Sequence, residues 1–191
     1  MELQKATVIA NEIIEYLRPA CERIEPAGSV RRKKPDVGDI EIVAKPKFQP
    51  HKIDSITKSG KAKLKAHDEL TERVNEAIRE GRLKHGEPNE EGMKPHFGPK
   101  YKRLAYPDPY VQVDLFCVTP PAEWGVIYTI RTGSANYTKW LMTRALQKGM
   151  KVEDGRLWDM SMRPRRLLPC PEERDFFKWL RVPWLEPEQR T

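Results

Sequence analysis

Residues 38–43 constrain the fold of this chain most strongly, because they place two acidic side chains on one side of a strand. The segment reads Gly-Asp-Ile-Glu-Ile-Val, and its β-branched apolar residues are typical of a buried strand. Side chains alternate along a strand, so Asp39 and Glu41 share one face and the two isoleucines share the other. Two carboxylates on one face repel each other unless a cation lies between them. The pattern therefore predicts a sheet with a core on one side and a cation site on the other.

A Gly-Ser turn lies upstream of this strand. Gly28 and Ser29 follow a short extended run and precede a charged segment that is able to open a helix. Free backbone N–H groups at such a turn bind anions. Arg31 and Arg32 add guanidinium donors suited to phosphate oxygens, and Gly38 lets the backbone approach a ligand. Phosphate donors beside a carboxylate pair indicate metal-assisted phosphoryl or nucleotidyl transfer, with Mg²⁺ as the preferred ion.

A third carboxylate, Asp114, lies in a second strand-like region. Residues 110–118 alternate polar and apolar positions and follow the strand-like residues 100–106 after a Pro-Asp-Pro turn. Taken alone, Asp114 is interpreted as an exposed position on a half-buried sheet. If its strand neighbours the first acidic strand, Asp114 joins Asp39 and Glu41 in a three-carboxylate, two-metal site.

The overall charge favours a polyanionic partner. Lys and Arg number 35 and Asp and Glu 28, which gives a formal net charge of +7 and makes nucleic acid the first candidate. The lysine-rich residues 45–65 fit either contact with a nucleic-acid backbone or a solvated loop. No stretch approaches the ~20 apolar residues of a membrane span. The N-terminus lacks a signal-peptide pattern, and the three scattered cysteines fit a reducing compartment, so we expect a cytoplasmic or nucleoid-associated protein that is not secreted.

Apolar spacing and turn residues predict the remaining elements. Residues 84–99 are predicted to form a loop. After Pro120-Pro121 the sequence changes from strand-like to helical patterns, which predicts a domain boundary between residues 1–118 and 119–191. Thr119 is predicted to cap the next helix, with Pro120 as its first residue. The other predicted elements are helices over 3–18, 61–80, 120–130, 136–148 and from Pro171 onward, a strand over 23–27, and an Asp-Gly hairpin over 152–157.

Together these motifs resemble the family X DNA polymerases of the DNA polymerase beta type. The resemblance covers essentially the whole chain, and the C-terminal motifs narrow it from nucleotidyltransferases in general to polymerases. It implies an α+β fold: a nucleotidyltransferase-type mixed β-sheet palm with flanking helices over residues 1–118, then a small, mostly helical thumb with a β-hairpin over 119–191. The motifs that carry it are Gly28-Ser29-Val30-Arg31-Arg32, Gly38-Asp39-Ile40-Glu41, Val113-Asp114-Leu115, Thr132-Gly133-Ser134, Arg144-Ala145-Leu146 with Lys148-Gly149, and Asp154-Gly155.

The resemblance implies a role for each matching position. Asp39, Glu41 and Asp114 would bind two Mg²⁺ ions, with Mn²⁺ as an alternative, and Asp114 would also help to activate the primer 3′-hydroxyl. The residues expected to hold the incoming dNTP are Gly28, Ser29, Arg32, Gly38, Thr132, Gly133, Ser134, Tyr137 and Thr138. The residues expected to contact DNA are Lys45, Lys47, Lys52, Lys58, Lys61, Lys63, Arg163, Arg165 and Arg166.

The implied activity is that of a DNA-directed DNA polymerase that fills short gaps during repair. It would act as a monomer on a primer-template or gapped duplex, and the printed sequence leaves room for a palm and a thumb without a lyase domain. Two other interpretations stay open. One is a nucleotidyltransferase that acts on tRNA, a protein or a small molecule, and the other is a non-catalytic basic DNA-binding module with a degraded site.

This sequence departs from the family pattern near the predicted site. Glu41 stands where the polymerases usually have Asp, and its extra methylene moves the carboxylate oxygens. Ile130-Arg131 precedes the Thr-Gly-Ser turn, where the family often has aromatic residues. Ala135 and Thr138 replace more polar family residues near the base. These positions predict altered metal choice, sugar discrimination and fidelity.

Overall fold

The structure is a computed structural model that describes residues 1–56, 62–88 and 95–191. Its helices are α1 (Leu3–Leu17), α2 (Gly28–Arg31), α3 (Glu69–Arg79), α4 (Trp124–Thr132), α5 (Ala135–Gln147) and α6 (Glu173–Leu180). Its strands are β1 (Cys21–Pro26), β2 (Ile40–Pro46), β3 (Phe48–Ile56), β4 (Ala62–Asp68), β5 (Lys84–His85), β6 (Tyr101–Pro107), β7 (Tyr110–Cys117), β8 (Met150–Glu153), β9 (Arg156–Asp159) and β10 (Arg166–Leu168).

A mixed five-stranded sheet forms the centre of the N-terminal part, with the strand order β1-β2-β7-β6-β5. The β2–β7 pair is parallel and the other pairs are antiparallel. This arrangement brings β2 and β7, the two strands that carry the predicted carboxylates, next to each other at the middle of the sheet. The combination of this sheet with helices and a smaller sheet confirms the predicted α+β class.

One face of the central sheet is covered by α1 and α3. Ile40 and Ile42 of β2 pack there with Val113 and Leu115 of β7, all at 0% exposure. Burial of side chains of this size stabilises the fold by about 1.5–3 kcal/mol each relative to exposure. Because strand side chains alternate, this burial turns Glu41 and its neighbours to the opposite face.

One end of the opposite face is covered by α4. There Val43 and Phe116 of the sheet pack against Trp124 and Tyr128 of α4. The C-terminal part has its own core, built mainly from α5, α6 and the antiparallel sheet β10-β9-β8. The carboxylate face of the sheet therefore lies beside the start of the C-terminal part.

Several predicted boundaries differ from the structure. The helix predicted over 61–80 begins only at Glu69, because residues 62–68 pair with β3 as strand β4 and Asp68 caps the helix by accepting from the Thr71 N–H. The loop-like middle predicted for 45–65 is likewise wrong for its described residues, which form β3 and part of β4.

The first C-terminal helix also starts later than predicted. Thr119 and Pro120 precede α4, which begins at Trp124 after the N-cap position Glu123. The Glu123 N–H donates to the Gly155 carbonyl, which draws residues 120–123 toward the β8–β9 turn. The last helix starts at Glu173 rather than at Pro171, and Glu172 and Asp175 form its capping box.

The loop predicted over 84–99 is wrong at its start, where Lys84–His85 pair with β6 as strand β5. The remaining predictions fit the observed elements. The Asp-Gly turn joins β8 to β9, and Asp154 and Gly155 both have positive φ, as a tight hairpin turn requires. Gly81 and Gly149, with φ of +75° and +69°, follow the ends of α3 and α5. Across residues 1–56, 62–88 and 95–191, no helix is long and apolar enough to cross a membrane.

Candidate active site

The three predicted carboxylates lie on two adjacent strands. Asp39 directly precedes β2, Glu41 is the second residue of that strand, and Asp114 lies in the middle of β7. The parallel register places Glu41 directly across from Asp114. Asp114 is 7% exposed, so its charge is partly removed from water.

The ionised forms of Asp39 and Glu41 are destabilised in this cluster. Burial raises the pKa of Glu41 to about 7, and the charge of Asp39 adds to this effect. Burial also raises the pKa of Asp39, followed by the charge of Asp114. The guanidinium groups of Arg131 and Arg32 oppose the shift at Glu41. The cluster therefore carries unfavourable negative charge that a divalent cation would offset.

The donor chemistry fits a hard cation, but the side chains do not stand as a finished ligand set. Carboxylate oxygens are the ligands that Mg²⁺ prefers. Within the described parts of the chain, no group of three His, Cys, Asp or Glu residues converges to hold an ion. Asp39, Glu41 and Asp114 are the residues that would hold one, after a change of side-chain orientation.

Asp114 is instead held by protein donors. The Tyr101 hydroxyl donates to Oδ1 at 2.7 Å, and the Gln112 amide donates to Oδ2 at 3.1 Å. The Arg103 Nε lies 3.5 Å from the same Oδ1. Tyr101 and Arg103 lie on β6, where Arg103 is in register with Asp114. Burial raises the pKa of Tyr101, and its hydrogen bond to Asp114 acts in the same direction.

The Gly-Ser turn packs tightly against this cluster. It forms the single-turn helix α2, and the Ala27 N–H donates to the Glu41 carbonyl at 2.8 Å. Gly28 has a φ of +54°, and a Cβ there would lie 1.8 Å from the Glu41 Oε2. The Ser29 hydroxyl reaches the Asp39 carbonyl only at 3.5 Å, a weak contact that leaves it available to a ligand. A Cβ on Gly38 would meet no atom within 4 Å, so the protein itself does not need a glycine there.

The two arginines of the turn have different surroundings. Arg32 donates to the Thr132 carbonyl at 2.6 Å, and its Nε is buried with no partner among the described residues. Burial lowers the pKa of Arg32, while the charges of Glu41 and Asp39 act against this. Arg31, which the sequence suggested as a second phosphate donor, is instead engaged in a bidentate ion pair with Glu173. Only Arg32 of this pair therefore faces the acidic cluster.

Glu173 connects the turn to the end of the chain. Its Oε2 lies 2.6 Å from the Arg31 Nη2, and its Oε1 lies 2.8 Å from the Arg190 Nη1. Arg190 is completely buried, and Glu173 is 5% exposed. The Arg31 guanidinium also stacks on Tyr128 at 3.8 Å and donates to the Thr132 hydroxyl. This buried network joins the N-terminal and C-terminal parts beside the candidate site.

The Thr-Gly-Ser turn links α4 to α5 at the same junction. Thr132 ends α4, and the Ser134 hydroxyl caps α5 by accepting from the Tyr137 N–H at 3.1 Å. The Thr138 hydroxyl donates to the Ile130 carbonyl. Tyr137, which we expected near the nucleotide, is 9% exposed and packs in the C-terminal core. Its ring therefore has a packing role, whereas the turn itself contacts Arg31 of α2 and the next residue, Arg32.

Arg131 is a positively charged residue near the site that the family pattern does not predict. Its guanidinium lies 3.7 Å from the centre of the Phe116 ring. Burial lowers its pKa, and the charge of Glu41 is the largest opposing influence. Arg131 thus supplies positive charge from α4 toward the carboxylates.

The predicted DNA-binding residues fall into three groups. Lys45 pairs with Glu22 at 2.7 Å and Lys47 donates to the Pro19 carbonyl, so both have local partners. Lys58 and Lys61 lie outside the described residues, and Lys52 and Lys63 lie on the β3–β4 hairpin. Arg163, Arg165 and Arg166 are exposed beside the β8–β10 sheet.

Two of these C-terminal arginines have acidic neighbours. Arg165 pairs with Glu153, and Arg166 lies 3.1 Å from Asp159. The Arg165–Glu153 pair is solvent-exposed and therefore weak enough to exchange for a phosphate contact, whereas the Asp159 side chain is only 14% exposed.

Sequence reasoning missed several residues around the site. Alternation on β6 would have placed Tyr101 and Arg103 on the face of Asp114 once β6 was paired with β7. No local sequence pattern predicts Glu173 or Arg190, because Glu173 contacts Arg31 across 142 residues and Arg190 joins this network only through Glu173.

The fold and site define an α+β protein in which an acidic sheet face and a Gly-Ser turn meet a helical C-terminal part. Residues 128–191 match the family model for the DNA polymerase beta thumb. This match over the C-terminal third of the chain supports the family X polymerase-like relationship that the sequence motifs predicted.

Proposed function

We propose that the protein is a DNA polymerase of the family X type that transfers a nucleotidyl group from a dNTP to a primer 3′-hydroxyl. The observation that carries the proposal is the register of Glu41 with Asp114, with Asp39 at the start of the same strand. The thumb match at residues 128–191 supports DNA as the acceptor. Filling of short gaps in repair is the setting we propose for this activity.

Each group near the acidic cluster has a defined task in this proposal. Arg32 and the Ser29 hydroxyl donate to the triphosphate, since the Arg32 Nε lacks a partner among the described residues. Asp114 accepts hydrogen bonds at both oxygens and would help to activate the primer 3′-hydroxyl. Two Mg²⁺ ions held by Asp39, Glu41 and Asp114 would neutralise charge on the triphosphate and lower the pKa of the primer 3′-hydroxyl.

The DNA contacts come from basic side chains outside the cluster. Arg163, Arg165 and Arg166 form an exposed basic group on the C-terminal part. The exposed Arg165–Glu153 pair costs little to break, and each phosphate that an arginine contacts releases counterions from the DNA. The lysines of the β3–β4 hairpin provide a second basic segment on the N-terminal part.

A primer-extension assay on a gapped duplex tests the proposal. Wild type, Asp114→Ala and Asp108→Ala are compared with dNTPs and either Mg²⁺ or Mn²⁺. Asp108 is the matched control because it is an exposed carboxylate in the turn between β6 and β7. We expect Asp108→Ala to extend normally and Asp114→Ala to lose activity by about 100-fold or more.

The assay also separates the alternatives. Equal extension by wild type and Asp114→Ala would overturn the assignment of Asp114. If wild type binds gapped DNA but neither extends it nor binds dNTP with metal, the protein is a non-catalytic binding module. Transfer to tRNA or a protein in preference to a DNA primer would identify a different nucleotidyltransferase.

A further inference from the structure

The Asp114 carboxylate is held at its two oxygens by different donors. At Oδ1 the donors are the Tyr101 hydroxyl at 2.7 Å and, more distantly, the Arg103 Nε at 3.5 Å, both from β6. At Oδ2 the donor is the Gln112 amide at 3.1 Å, from Asp114's own strand. The short bond from the neighbouring strand therefore fixes Oδ1, and Oδ2 has the longer contact.

The Tyr101 hydroxyl is itself held in place. Arg103 Nε donates to it at 3.0 Å, which leaves its own proton for Asp114. Donors arranged in such a chain polarise each other and strengthen the final bond. The order of donation is therefore Arg103 to Tyr101 to Asp114.

The Tyr101 ring is also constrained. It stacks on Phe116 with ring centres 5.0 Å apart and on His96 at 5.3 Å. Phe116 in turn carries the Arg131 guanidinium on its ring at 3.7 Å. A ring packed between two others loses little additional freedom when its hydroxyl forms a hydrogen bond.

We propose that Tyr101 is a positioning residue that orients Asp114 for a divalent cation, whereas Gln112 occupies the oxygen that the cation would take. This inference rests on the proposed function, because it assigns Asp114 as a ligand. Hydrogen bonds to ligating carboxylates fix their orientation, and loss of such a bond typically costs 10–100-fold in metal affinity. A cation at Oδ2 leaves the Tyr101 bond intact and displaces only the weaker Gln112 contact.

Binding of Mn²⁺ alone, followed by electron paramagnetic resonance, tests this inference without requiring activity. Tyr101→Phe keeps the ring stack and removes only the hydroxyl. Tyr106→Phe is the matched control, since Tyr106 lies on the same strand and also donates to a carboxylate, that of Glu12 at 2.9 Å. We expect Tyr101→Phe to weaken Mn²⁺ binding on the order of 10-fold and Tyr106→Phe to leave it unchanged.

A second variant tests the role assigned to Gln112. Gln112→Leu removes the amide at Oδ2, so we expect Mn²⁺ to bind as tightly as in wild type or more tightly. Weaker binding in Gln112→Leu, or unchanged binding in Tyr101→Phe, would overturn the inference. Circular dichroism of each variant confirms that the fold is retained.

The variant Asp114→Ala distinguishes failure of the role proposed for Tyr101 from failure of the proposed polymerase function. If Asp114→Ala binds Mn²⁺ as wild type does, Asp114 is no ligand and the proposed function fails with the inference. If Asp114→Ala loses Mn²⁺ while Tyr101→Phe keeps it, only the role of Tyr101 is wrong. In extension assays, Tyr101→Phe should have a lower kcat than wild type at subsaturating metal, and its kcat should return to the wild-type value at high metal. The KM for dNTP should not change in parallel.

Discussion

The Glu41 carboxylate lies directly against the backbone of Gly28, so close that a Cβ at that position would be 1.8 Å from Oε2. The contact joins the turn expected to bind phosphate to a residue expected to bind metal. Gly28 also has a φ of +54°, in the left-handed region that other residues adopt at a cost of about 1–2 kcal/mol. The fold itself therefore requires a glycine at this position.

Gly28→Ala should destabilise the protein by about 2–4 kcal/mol, because backbone strain and the collision with Glu41 add together. Gly38→Ala is the control, since a Cβ there meets nothing within 4 Å. Denaturant unfolding measures both variants. In the double variant Gly28→Ala/Glu41→Ala we expect part of the stability to return, and strict additivity would contradict the contact.

The metal-free protein should lose stability as the pH rises from about 5 to 8. The Glu41 pKa is raised from 4.5 to about 7, so the folded state holds a proton that the unfolded state releases. This contribution is complete below pH 4.5 and disappears as the pH passes 7. We expect Glu41→Gln to reduce the decline by about 2 kcal/mol, measured by denaturant unfolding in EDTA at several pH values. Identical pH profiles for the two proteins would refute the shift.

Arg131→Gln should move this pH dependence upward. The Arg131 charge opposes the rise in the Glu41 pKa, so its removal lets Glu41 keep its proton to a higher pH. The same EDTA titration reports the midpoint. Arg79→Gln is a control that removes a cation from α3, on the far face of the sheet, and it should leave the midpoint in place.

Glu173→Gln should destabilise the protein by about 3–5 kcal/mol, since it leaves the buried Arg190 without its acidic partner. Glu15→Gln breaks the exposed pair between Glu15 of α1 and Arg18, which follows that helix, and should change stability little. Thermal and denaturant unfolding compare the two. Similar effects from both variants would show that burial does not set the strength of the Glu173 network.

Replacement of Arg163, Arg165 and Arg166 by alanine should weaken binding to gapped DNA and flatten its salt dependence. Removal of a single arginine–phosphate interaction lowers the slope of log affinity against log salt by about one unit. Fluorescence anisotropy at several salt concentrations gives this slope. Arg18→Ala, an exposed arginine after α1, is the control, and an unchanged slope in the triple variant would exclude these arginines from the interface.

The central part of the site was predictable because it depends on alternation and strand pairing. The two-residue spacing of Asp39 and Glu41 placed both on one face, and the apolar alternation around Asp114 identified its strand. Parallel pairing of these strands then fixed the register. The thumb was predictable from turn residues, whose conformations are set locally, as at Asp154-Gly155.

The remaining features depend on partners that sequence spacing does not encode. Residues 62–68 have helical character in isolation, and pairing with β3 makes them a strand. Arg31 resembled a phosphate donor until the fold supplied Glu173 as its partner. Tyr101 became relevant only when the β6–β7 register brought its hydroxyl to Asp114.

The ion pairs that link Arg31, Glu173 and Arg190 affect whether fragments of this chain can fold separately. Arg31 belongs to the N-terminal part, and the other two residues belong to the C-terminal part. In fragments separated near residue 119, Arg31 would lose its acidic partner, and Glu173 would keep Arg190 but lose one of its two arginines. We therefore expect them to be poorly folded alone and to regain structure on mixing, which makes the chain a candidate for fragment complementation.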